Sequence, residues 1–265
     1  MIRGIFHAGS GLGNQLHRYV ATRVLALDKG YDFSMMGEPF KGKSFMDIDM
    51  GVKEYMPYHV EEHTGKVIPH TELPLRAWAE KTPYYNPEFN FIEDNTIIDG
   101  EFQDERYFEH RLNEISGWLK VEPIDVPDDV CVIGFRGGEF YQVDELGLPK
   151  EYFEKGIEMM KEINPNMRFE VHTDDEFLAN WVFSDIPNIK IIHDIGINWR
   201  SIRHARYAII ANSSFYILPR LLKQHEASTA QGAKKVLTIA PRYWDRYNIK
   251  KWERPYNYYK CFTYL

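Results

Sequence analysis

The sequence has 265 residues, enough for one large or two medium domains, and 44% of them are hydrophobic. The 39 acidic and 32 basic side chains leave a formal net charge of −7, so a nucleic acid is not the expected partner. Only Cys131 and Cys261 are present, which argues against a disulfide framework. The pattern contains no signal peptide and no membrane-spanning run, so we expect a cytoplasmic protein, with peripheral membrane contact left open.

The chain begins with a predicted strand, residues 2–7, and a glycine-rich turn, residues 9–15. A helix is predicted up to Gly30, because apolar residues recur on one helical face: Leu16, Val20, Val24 and Leu27. The amino end of this helix presents unpaired N–H groups, which favour an anion or sugar hydroxyls. The turn therefore supplies four candidate ligand-binding residues: Gly11, Gly13, Asn14 and Gln15. Simple helix capping by Asn14 and Gln15 remains the alternative.

Residues 35–95 have weak periodicity and many prolines, and two short patterns there resemble metal sites. Asp47 and Asp49 have the Asp-x-Asp spacing of manganese-dependent transferases, but no strand pattern surrounds them. Residues 59–63 have the H-x-x-E-H spacing of a zinc peptidase. Pro57 and Pro69 leave little room for the long helix that this chemistry needs, so a zinc peptidase is only a rival interpretation.

A strand is predicted again at residues 96–99, followed by a polar and aromatic segment at 100–108 and a short helix with an apolar face. Residues 121–129 are acidic and contain two prolines, which predicts a linker between domains. We therefore expect an N-terminal domain at residues 1–120 and a C-terminal domain at residues 130–245. The remaining segment, 246–265, is rich in aromatic and basic residues and is expected to pack back on the N-terminal half.

Strands and helices alternate regularly in the second half. Strands are predicted at five places: residues 130–135, 168–172, 188–193, 207–211 and 235–240. Such alternation requires parallel pairing with right-handed crossovers, so this half is predicted to be Rossmann-like and the fold class α/β.

Polar residues follow three of these strands, and the carboxyl ends of parallel strands meet at one edge. Arg136 and Glu139 follow the first, Asp174 and Asp175 follow the second, and a third group follows the strand at 207–211: Asn212, Ser213, Ser214 and Phe215. A guanidinium and a helix start suit a diphosphate, while a carboxylate can accept bonds from a guanine or a ribose diol. Together they predict a nucleoside-diphosphate site. Taken singly, each aspartate or serine is more often explained as a helix cap.

Several of these segments, in the same order, resemble the fucosyltransferases of glycosyltransferase family 11, the α-1,2-type enzymes, within a wider superfamily that has an H-x-R-R-x-D motif. Residues 11–15 (GLGNQ) match the family's opening motif, and residues 100–108 resemble its G-Y-F-Q segment. Residues 172–175 (HTDD) resemble F-S-D-D, and residues 210–215 (IANSSF) resemble I-I-A-N-S-S-F. The resemblance runs from the first strand to about Trp244.

The H-x-R-R-G-D motif itself is altered. Its frame is Gly134-Phe-Arg-Gly-Gly-Glu139, so the first arginine is kept as Arg136, while the histidine and the second arginine are glycines. The aspartate is lengthened to Glu139, and the family's S-W-W is replaced from Tyr216 onwards. These changes leave the identity of the donor sugar open.

The resemblance implies a GT-B-type glycosyltransferase with two Rossmann-like domains facing a cleft. The reaction it implies is inverting transfer of fucose from GDP-fucose to a glycan hydroxyl, galactose O2 in this family, with no metal or other cofactor. Arg136 would then stabilise the departing GDP, and Glu139 is the predicted candidate for the base. A transferase for another nucleotide sugar and an inactive GDP-sugar-binding protein remain the alternatives.

Overall fold

The computed structural model describes most of the chain: residues 1–53, 58–60, 67–69, 76–82, 84–143, 146–232, 234–244 and 259–265. These residues form two compact units, Met1–Lys120 and Val121–Leu265. Each unit contains a parallel β-sheet with helices in its crossover connections. The α/β fold with parallel sheets that the sequence predicts is confirmed.

The first unit is built on a four-stranded sheet. Its elements are β1 (Ile2–Phe6), α1 (Leu12–Lys29), β2 (Phe33–Gly37), β3 (Tyr58–Val60), β4 (Val67–Pro69), β5 (Arg76–Ala79), β6 (Thr96–Asp99) and α2 (Leu112–Trp118), with 3₁₀ turns at Pro87–Phe91, Glu105–Tyr107 and Glu109–Arg111. The sheet order is β2-β1-β6-β5, and all its pairs are parallel. Strands β3 and β4 form a separate antiparallel hairpin.

Helix α1 forms where the apolar spacing predicts it. Leu16, Val20 and Val24 are fully buried on its inner face. The helix ends at Gly30, which adopts a left-handed conformation (φ 68°) and donates its N–H to the last turn. That conformation favours glycine, so the predicted end of the helix is confirmed.

The second unit contains a six-stranded sheet. Its elements are β7 (Val130–Phe135), α3 (Lys150–Ile163), β8 (Arg168–Thr173), α4 (Glu176–Val182), β9 (Lys190–Ile192), α5 (Ile195–His204), β10 (Tyr207–Ile210), α6 (Ser214–Thr229), β11 (Leu237–Ala240) and β12 (Thr263–Tyr264), with a 3₁₀ turn at Gly138–Gln142. The order is β12-β11-β10-β7-β8-β9, and every pair is parallel.

This order has a switch point between β7 and β10. From β7 the chain first adds β8 and β9 on one side and then returns to add β10, β11 and β12 on the other. The connections that leave β7 and β10 therefore run in opposite directions along the sheet. Open α/β sheets generally bind their ligands at the carboxyl ends of the strands beside such a switch point.

The C-terminal residues differ from the prediction that 246–265 packs on the N-terminal half. Residues 259–265 belong to the second unit, where β12 adds a parallel strand to the edge of the sheet. Main-chain hydrogen bonds explain this placement: Leu265 N donates to Ala240 O, and Arg242 N donates to Leu265 O. Residues 245–258 lie outside the described part of the chain.

The predicted linker, 121–129, also belongs to the second unit. Asp129 anchors its end, because both carboxylate oxygens accept hydrogen bonds from Arg168 at the start of β8, at 2.8 and 2.9 Å. None of the helices in the described ranges has the length and apolar character that crossing a membrane requires.

Candidate functional site

Three groups of predicted site residues follow neighbouring strands of the second sheet. Arg136 and Glu139 follow β7, Asp174 and Asp175 follow β8, and residues 212–215 follow β10. Since the order of these strands is β10-β7-β8, the groups lie side by side along the carboxyl edge, around the switch point. Neighbouring parallel strands bring residues about 40 positions apart in sequence to one place, as the expected site requires.

Arg136 is the cation of this edge, and two carboxylates hold it. Nη2 donates to Oε1 of Glu139 at 2.6 Å, and Nη1 donates to Oδ2 of Asp174. The guanidinium also lies over the ring of Phe140, 5.1 Å from its centroid. The Arg136 side chain is 26% exposed. A ligand can therefore reach Arg136, but only by sharing or displacing a carboxylate.

The two glycines after Arg136 are required by the aspartates of the neighbouring strand. Gly137 N donates to Asp174 at 2.8 Å, and Gly138 N donates to Asp175 at 3.1 Å. A Cβ at Gly137 would lie 2.5 Å from Cβ of Asp175, and Gly138 has a φ of 49°. Larger residues would push the loop away from β8. The protein itself therefore explains both glycines, without a ligand.

Asp175 is also the cap of α4, as the alternative interpretation of the sequence held. Its Oδ1 accepts from Leu178 N at 2.9 Å, while its Oδ2 accepts from Gly138 N. Asp174 uses both oxygens as well, on Gly137 N and Arg136. A carboxylate oxygen can accept a second hydrogen bond, so binding of a base or a ribose by these aspartates stays a prediction.

The residues after β10 divide into a buried pair, Asn212 and Ser213, and a partly exposed pair, Ser214 and Phe215. Asn212 is buried, and its Nδ2 donates to Leu146 O at 3.0 Å and to Trp244 O. Its side chain thus joins two loops and is not presented to a ligand. Ser213 is the N-cap of α6 but makes no side-chain capping bond, and the first turn of α6 contains no acidic residue. The positive end of α6 is therefore not neutralised by its own sequence.

The next two residues begin α6. Ser214 is its first residue and is partly exposed. Phe215 packs edge-on against Trp199, with 5.7 Å between ring centroids. The packing of Phe215 fixes the direction in which the helix start points, so Ser213 and Ser214 are held at the carboxyl edge.

Tyr216 explains why the altered motif has glycine at 134. A Cβ on Gly134 would lie 2.8 Å from the Tyr216 ring, so a histidine does not fit at this position of β7. The single proton of the Tyr216 hydroxyl is shared between two carbonyl acceptors, Phe135 O at 2.9 Å and His172 O at 3.1 Å, which joins β7 to β8. Burial raises the pKa of Tyr216, so the hydroxyl keeps its proton and donates.

An open cleft of about 520 Å³ lies beside the aspartates. Its lining comes from the ends of β8 and β9 and from α4: Asp174, Asp175, Glu176, Phe177, Asn180 and His193. Phe177 is 87% exposed, which is unusual for an aromatic side chain. The cleft combines an aromatic ring with hydrogen-bonding groups, the composition that suits a base or a sugar ring.

In the first unit, the structure separates the four predicted residues of the glycine-rich turn. Gly11 is the exposed N-cap of α1, and a Cβ there would meet no atom within 4 Å. Gly13 is buried, and Asn14 accepts a hydrogen bond from Gln103 at 3.3 Å. Gln15 is fully buried: its Nε2 donates to Pro39 O at 3.0 Å, and its Oε1 accepts from Lys41 N at 2.9 Å. The predicted ligand role of Gln15 is therefore replaced by a structural one.

No sequence pattern predicted the charged cluster at the carboxyl edge of the first sheet. His7 follows β1, and its Nε2 lies 2.7 Å from Oδ1 of Asp99, the last residue of β6. Arg18, only 7% exposed, donates to the same Asp99 oxygen at 2.8 Å and to Glu101 at 2.7 Å. Burial of Asp99 alone would raise its pKa, but the hydrogen bond from His7 and the Arg18 charge lower the pKa below its usual range.

The Asp-x-Asp pattern does not form a metal site in the described residues. Asp49 accepts a hydrogen bond from Gly51 N at 2.9 Å and lies 3.5 Å from Arg23, and within the described ranges no group of three His, Cys, Asp or Glu side chains is arranged to hold a metal. Glu62 and His63 of the H-x-x-E-H pattern lie outside those ranges. The expectation of a metal-free reaction stays a prediction.

These observations define the class: an α/β protein with a parallel sheet in each of two units and an arginine held by carboxylates at the switch point of the second. No protein-family model matches the chain, and a search of curated proteins gives no match. Solved structures do resemble it. NodZ α-1,6-fucosyltransferase co-crystallised with GDP is 12% identical, with a TM-score of 0.48 over 83% of this chain and 91% of that chain.

Two further structures are similar at the same level. Fucosyltransferase NodZ from Bradyrhizobium is 12% identical, with a TM-score of 0.47 over 83% of this chain and 92% of that chain. E. coli heptosyltransferase WaaC with ADP is 11% identical, with a TM-score of 0.47 over 100% of this chain and 92% of that chain. Similarity this weak carries no inference about function, which must rest on the residues of this chain.

Proposed function

We propose that the protein is an inverting glycosyltransferase of the GT-B type that uses a nucleoside-diphosphate sugar, with GDP-fucose as the donor and a glycan hydroxyl, galactose O2, as the acceptor. The observation that supports it most is the position of Arg136 beside the uncapped start of α6, on the two strands that flank the switch point. A guanidinium and a helix amino end are the two groups that neutralise a diphosphate without a metal.

The proposed chemistry depends on stabilising the leaving group. As the bond between the sugar and the diphosphate breaks, negative charge grows on the nucleotide. Arg136 and the positive amino end of α6 are the groups proposed to stabilise that charge. The choice of fucose and of guanine rests on the ordered motifs at residues 11–15, 100–108, 172–175 and 210–215.

The ion pairs of Arg136 must rearrange before a diphosphate can bind. Glu139 and Asp174 carry two negative charges against one positive charge, which disfavours an approaching diphosphate. Glu139 is 73% exposed, so its bond to Arg136 is weak and readily exchanged for a phosphate oxygen. In the proposed binding step, Arg136 therefore leaves Glu139 and keeps Asp174.

The same contact assigns Glu139 a role other than that of a base. Its carboxylate is bonded to the cation that must face the leaving group. A carboxylate in that position orients Arg136 before the donor binds. The predicted assignment of Glu139 as the base is therefore not part of the proposal.

A donor panel tests the function directly. The protein is incubated with GDP-fucose, GDP-mannose, UDP-galactose and UDP-glucose in the presence of galactosides, and release of free GDP or UDP is measured. The proposal predicts GDP release from GDP-fucose that requires the galactoside. Release from another donor would identify a different transferase, and GDP binding without any turnover would identify a binding protein.

A further inference from the structure

Helix α4 of the second unit carries two aromatic side chains that are not packed in the interior. Phe177 is 87% exposed and Trp181 is 70% exposed. They are four residues apart, so both project from the same side of the helix. Phe177 lines the cleft of about 520 Å³ beside Asp174, whereas Trp181 lies outside that lining. An exposed aromatic ring in the wall of a cleft is a surface on which a flat ligand ring can stack.

The charge of this cleft disfavours a phosphate as its occupant. Asp174, Asp175 and Glu176 contribute three carboxylates to the wall, and no lining residue in the described ranges is a lysine or an arginine. Like charges repel an anion. Since a carboxylate only accepts hydrogen bonds, the ligand group that suits the cleft is neutral and presents N–H or O–H donors.

Glu176 is the carboxylate that remains available to such a ligand. Each oxygen of Asp174 and of Asp175 already accepts a hydrogen bond from the protein. Glu176 is exposed, and within the described part of the chain its carboxylate takes part in no hydrogen bond or ion pair; its main-chain oxygen alone accepts, from Asn180. A ligand with two donors is therefore accommodated most readily by Glu176.

A guanine base fits a free carboxylate beside an aromatic ring. Its N1–H and its exocyclic amino group are neighbouring donors, which the two oxygens of Glu176 can accept together. Adenine has an acceptor nitrogen at N1, and uracil has a single N–H between two carbonyl oxygens. In both of these bases, lone pairs would face the carboxylate, so Glu176 favours guanine over adenine and uracil.

The cleft is continuous with the proposed diphosphate site. Asp174 belongs to both places, because its Oδ2 accepts from Arg136 and its side chain lines the cleft. The lining extends to His193, which follows β9. Strand β9 is two strands from β7, roughly 10 Å at the usual spacing of neighbouring strands. A diphosphate at Arg136 therefore leaves room for a ribose near β8 and for a base against α4, within one unit.

We propose that Glu176 and Phe177 form the base-binding subsite of the donor site. Phe177 stacks on the guanine, and Glu176 accepts hydrogen bonds from N1–H and from the amino group. This assignment rests on the proposed function, because a guanine is expected only if the donor is a GDP-sugar. Asp174 and Asp175 then hold the loop after β7, and α4 selects the nucleotide.

Calorimetric titrations of GDP, inosine diphosphate, ADP and UDP test the subsite, because inosine diphosphate differs from GDP only in lacking the amino group. The wild type should bind GDP about 10-fold more tightly than inosine diphosphate, and ADP and UDP more weakly still. Glu176→Gln should weaken GDP binding by about 10- to 50-fold and reduce the preference for GDP over inosine diphosphate to less than about threefold. A general effect of the substitution on α4 would not change that preference.

Phe177→Ala should weaken GDP and inosine diphosphate equally, by about 5- to 50-fold, because stacking does not depend on the amino group. Phe177→Trp should restore binding. Trp181→Ala removes an exposed aromatic ring of the same helix outside the cleft, and Glu158→Gln removes an exposed carboxylate of α3; both controls should bind GDP within about twofold of the wild type. Arg136→Ala should weaken both nucleotides by the same factor, because it acts on the diphosphate.

The outcomes separate the subsite from the function on which it rests. GDP binding that weakens in Arg136→Ala but stays within about twofold of the wild type in Glu176→Gln and Phe177→Ala overturns the subsite and leaves the proposed function standing. Equal losses in Phe177→Ala and Trp181→Ala would show a general effect on α4 and also overturn it. A wild type that binds ADP or UDP as tightly as GDP overturns the assignment of guanine. A wild type that binds none of the four nucleotides overturns both the subsite and the function.

Discussion

At the scale of single residues, Arg136 is the centre of the proposed donor site, and its guanidinium is ion-paired with two carboxylates. Glu139 and Asp174 both bind the guanidinium, and Asp174 also holds the main chain at Gly137. The two carboxylates therefore differ: Asp174 shapes the loop, while Glu139 contributes a single exposed bond. Removing the charge of Glu139 is the change that alters the electrostatics with the least effect on the loop.

Glu139→Gln is expected to raise GDP affinity by about two- to fivefold, since an exposed ion pair is worth up to about 1 kcal/mol and a diphosphate no longer has to replace it. Calorimetric titration with GDP measures the effect. Glu158→Gln, at an exposed position of α3, is the matched control and should leave the affinity unchanged. Unchanged GDP affinity combined with a large loss of kcat in Glu139→Gln would instead restore Glu139 as the base.

At the scale of elements, the turn after β6 depends on a carboxylate that follows β5. Glu80 accepts hydrogen bonds from the N–H groups of Glu101 and Phe102, at 2.8 and 3.1 Å, and Phe102 has the unusual φ of 48°. Burial raises the pKa of Glu80, and these N–H bonds offset the increase only in part. The turn that presents Glu101 to Arg18 therefore contains a carboxyl group that resists ionisation.

The pH dependence of stability tests this contact. Because the folded pKa of Glu80 is raised, the folded state holds its proton at a pH where the unfolded state has lost it, so the free energy of unfolding falls as pH rises above about 4.5. Glu80→Gln keeps an acceptor for the N–H groups and removes the ionisation. Its stability relative to wild type should increase as the pH rises above about 4.5 in denaturant titrations. A flat or decreasing difference would contradict the assignment, and Glu38→Gln, an exposed control, should show no trend.

Helix α6 is joined to its neighbours by a fully buried cation. Arg220 donates to Ile202 O at 2.9 Å and Ala205 O at 2.7 Å at the end of α5, and to Thr238 Oγ1 at 2.9 Å in β11. Burial lowers the pKa of Arg220 to about 9, which leaves the side chain charged at neutral pH. The carbonyl oxygens at the C-terminal end of α5 are well suited to a cation, because the helix dipole is negative there.

Arg220→Met is expected to lower the free energy of unfolding by about 2 to 4 kcal/mol, because it leaves buried carbonyl groups without donors while preserving most of the side-chain volume. Denaturant titration gives the value. Arg200→Met is the control: Arg200 lies on α5, is partly exposed and bonds Gly196 O of its own helix, so the loss there should stay below about 1 kcal/mol. Equal losses in the two variants would show that the contacts of Arg220 contribute little.

At the scale of the whole molecule, the features that could be predicted from the sequence are the strands, helix ends and strand pairing that local residue patterns determine. The apolar run of β7, the strand β6 and the capped end of α1 lie where they were predicted, because periodicity and a terminal glycine specify them. The parallel order of the second sheet also follows from alternating strands and helices. The carboxyl edge with Arg136 and Asp174 could be anticipated for the same reason.

Contacts distant in sequence could not be predicted in this way. His7 and Asp99 are 92 positions apart, and nothing near either residue signals the pair. Gln15 and Asn212 look like ligand residues in a motif, yet their amides are used by the loops at Pro39 and Leu146. The edge strand β5 has only four residues and is mostly exposed, so no apolar periodicity revealed it or Glu80 beyond its end.

The account as a whole depends on a diphosphate bound at Arg136, and calorimetric titration of GDP into wild type, Arg136→Ala and Arg206→Ala tests it most directly. Arg206 precedes β10, at the amino edge of the same sheet, and is the matched control. Arg136→Ala should weaken GDP binding by about 10- to 100-fold, the equivalent of about 1.5 to 3 kcal/mol of charge-assisted hydrogen bonding, while Arg206→Ala matches the wild type. GDP affinity within about threefold of wild type in Arg136→Ala, or no binding of GDP to the wild type, would contradict the account.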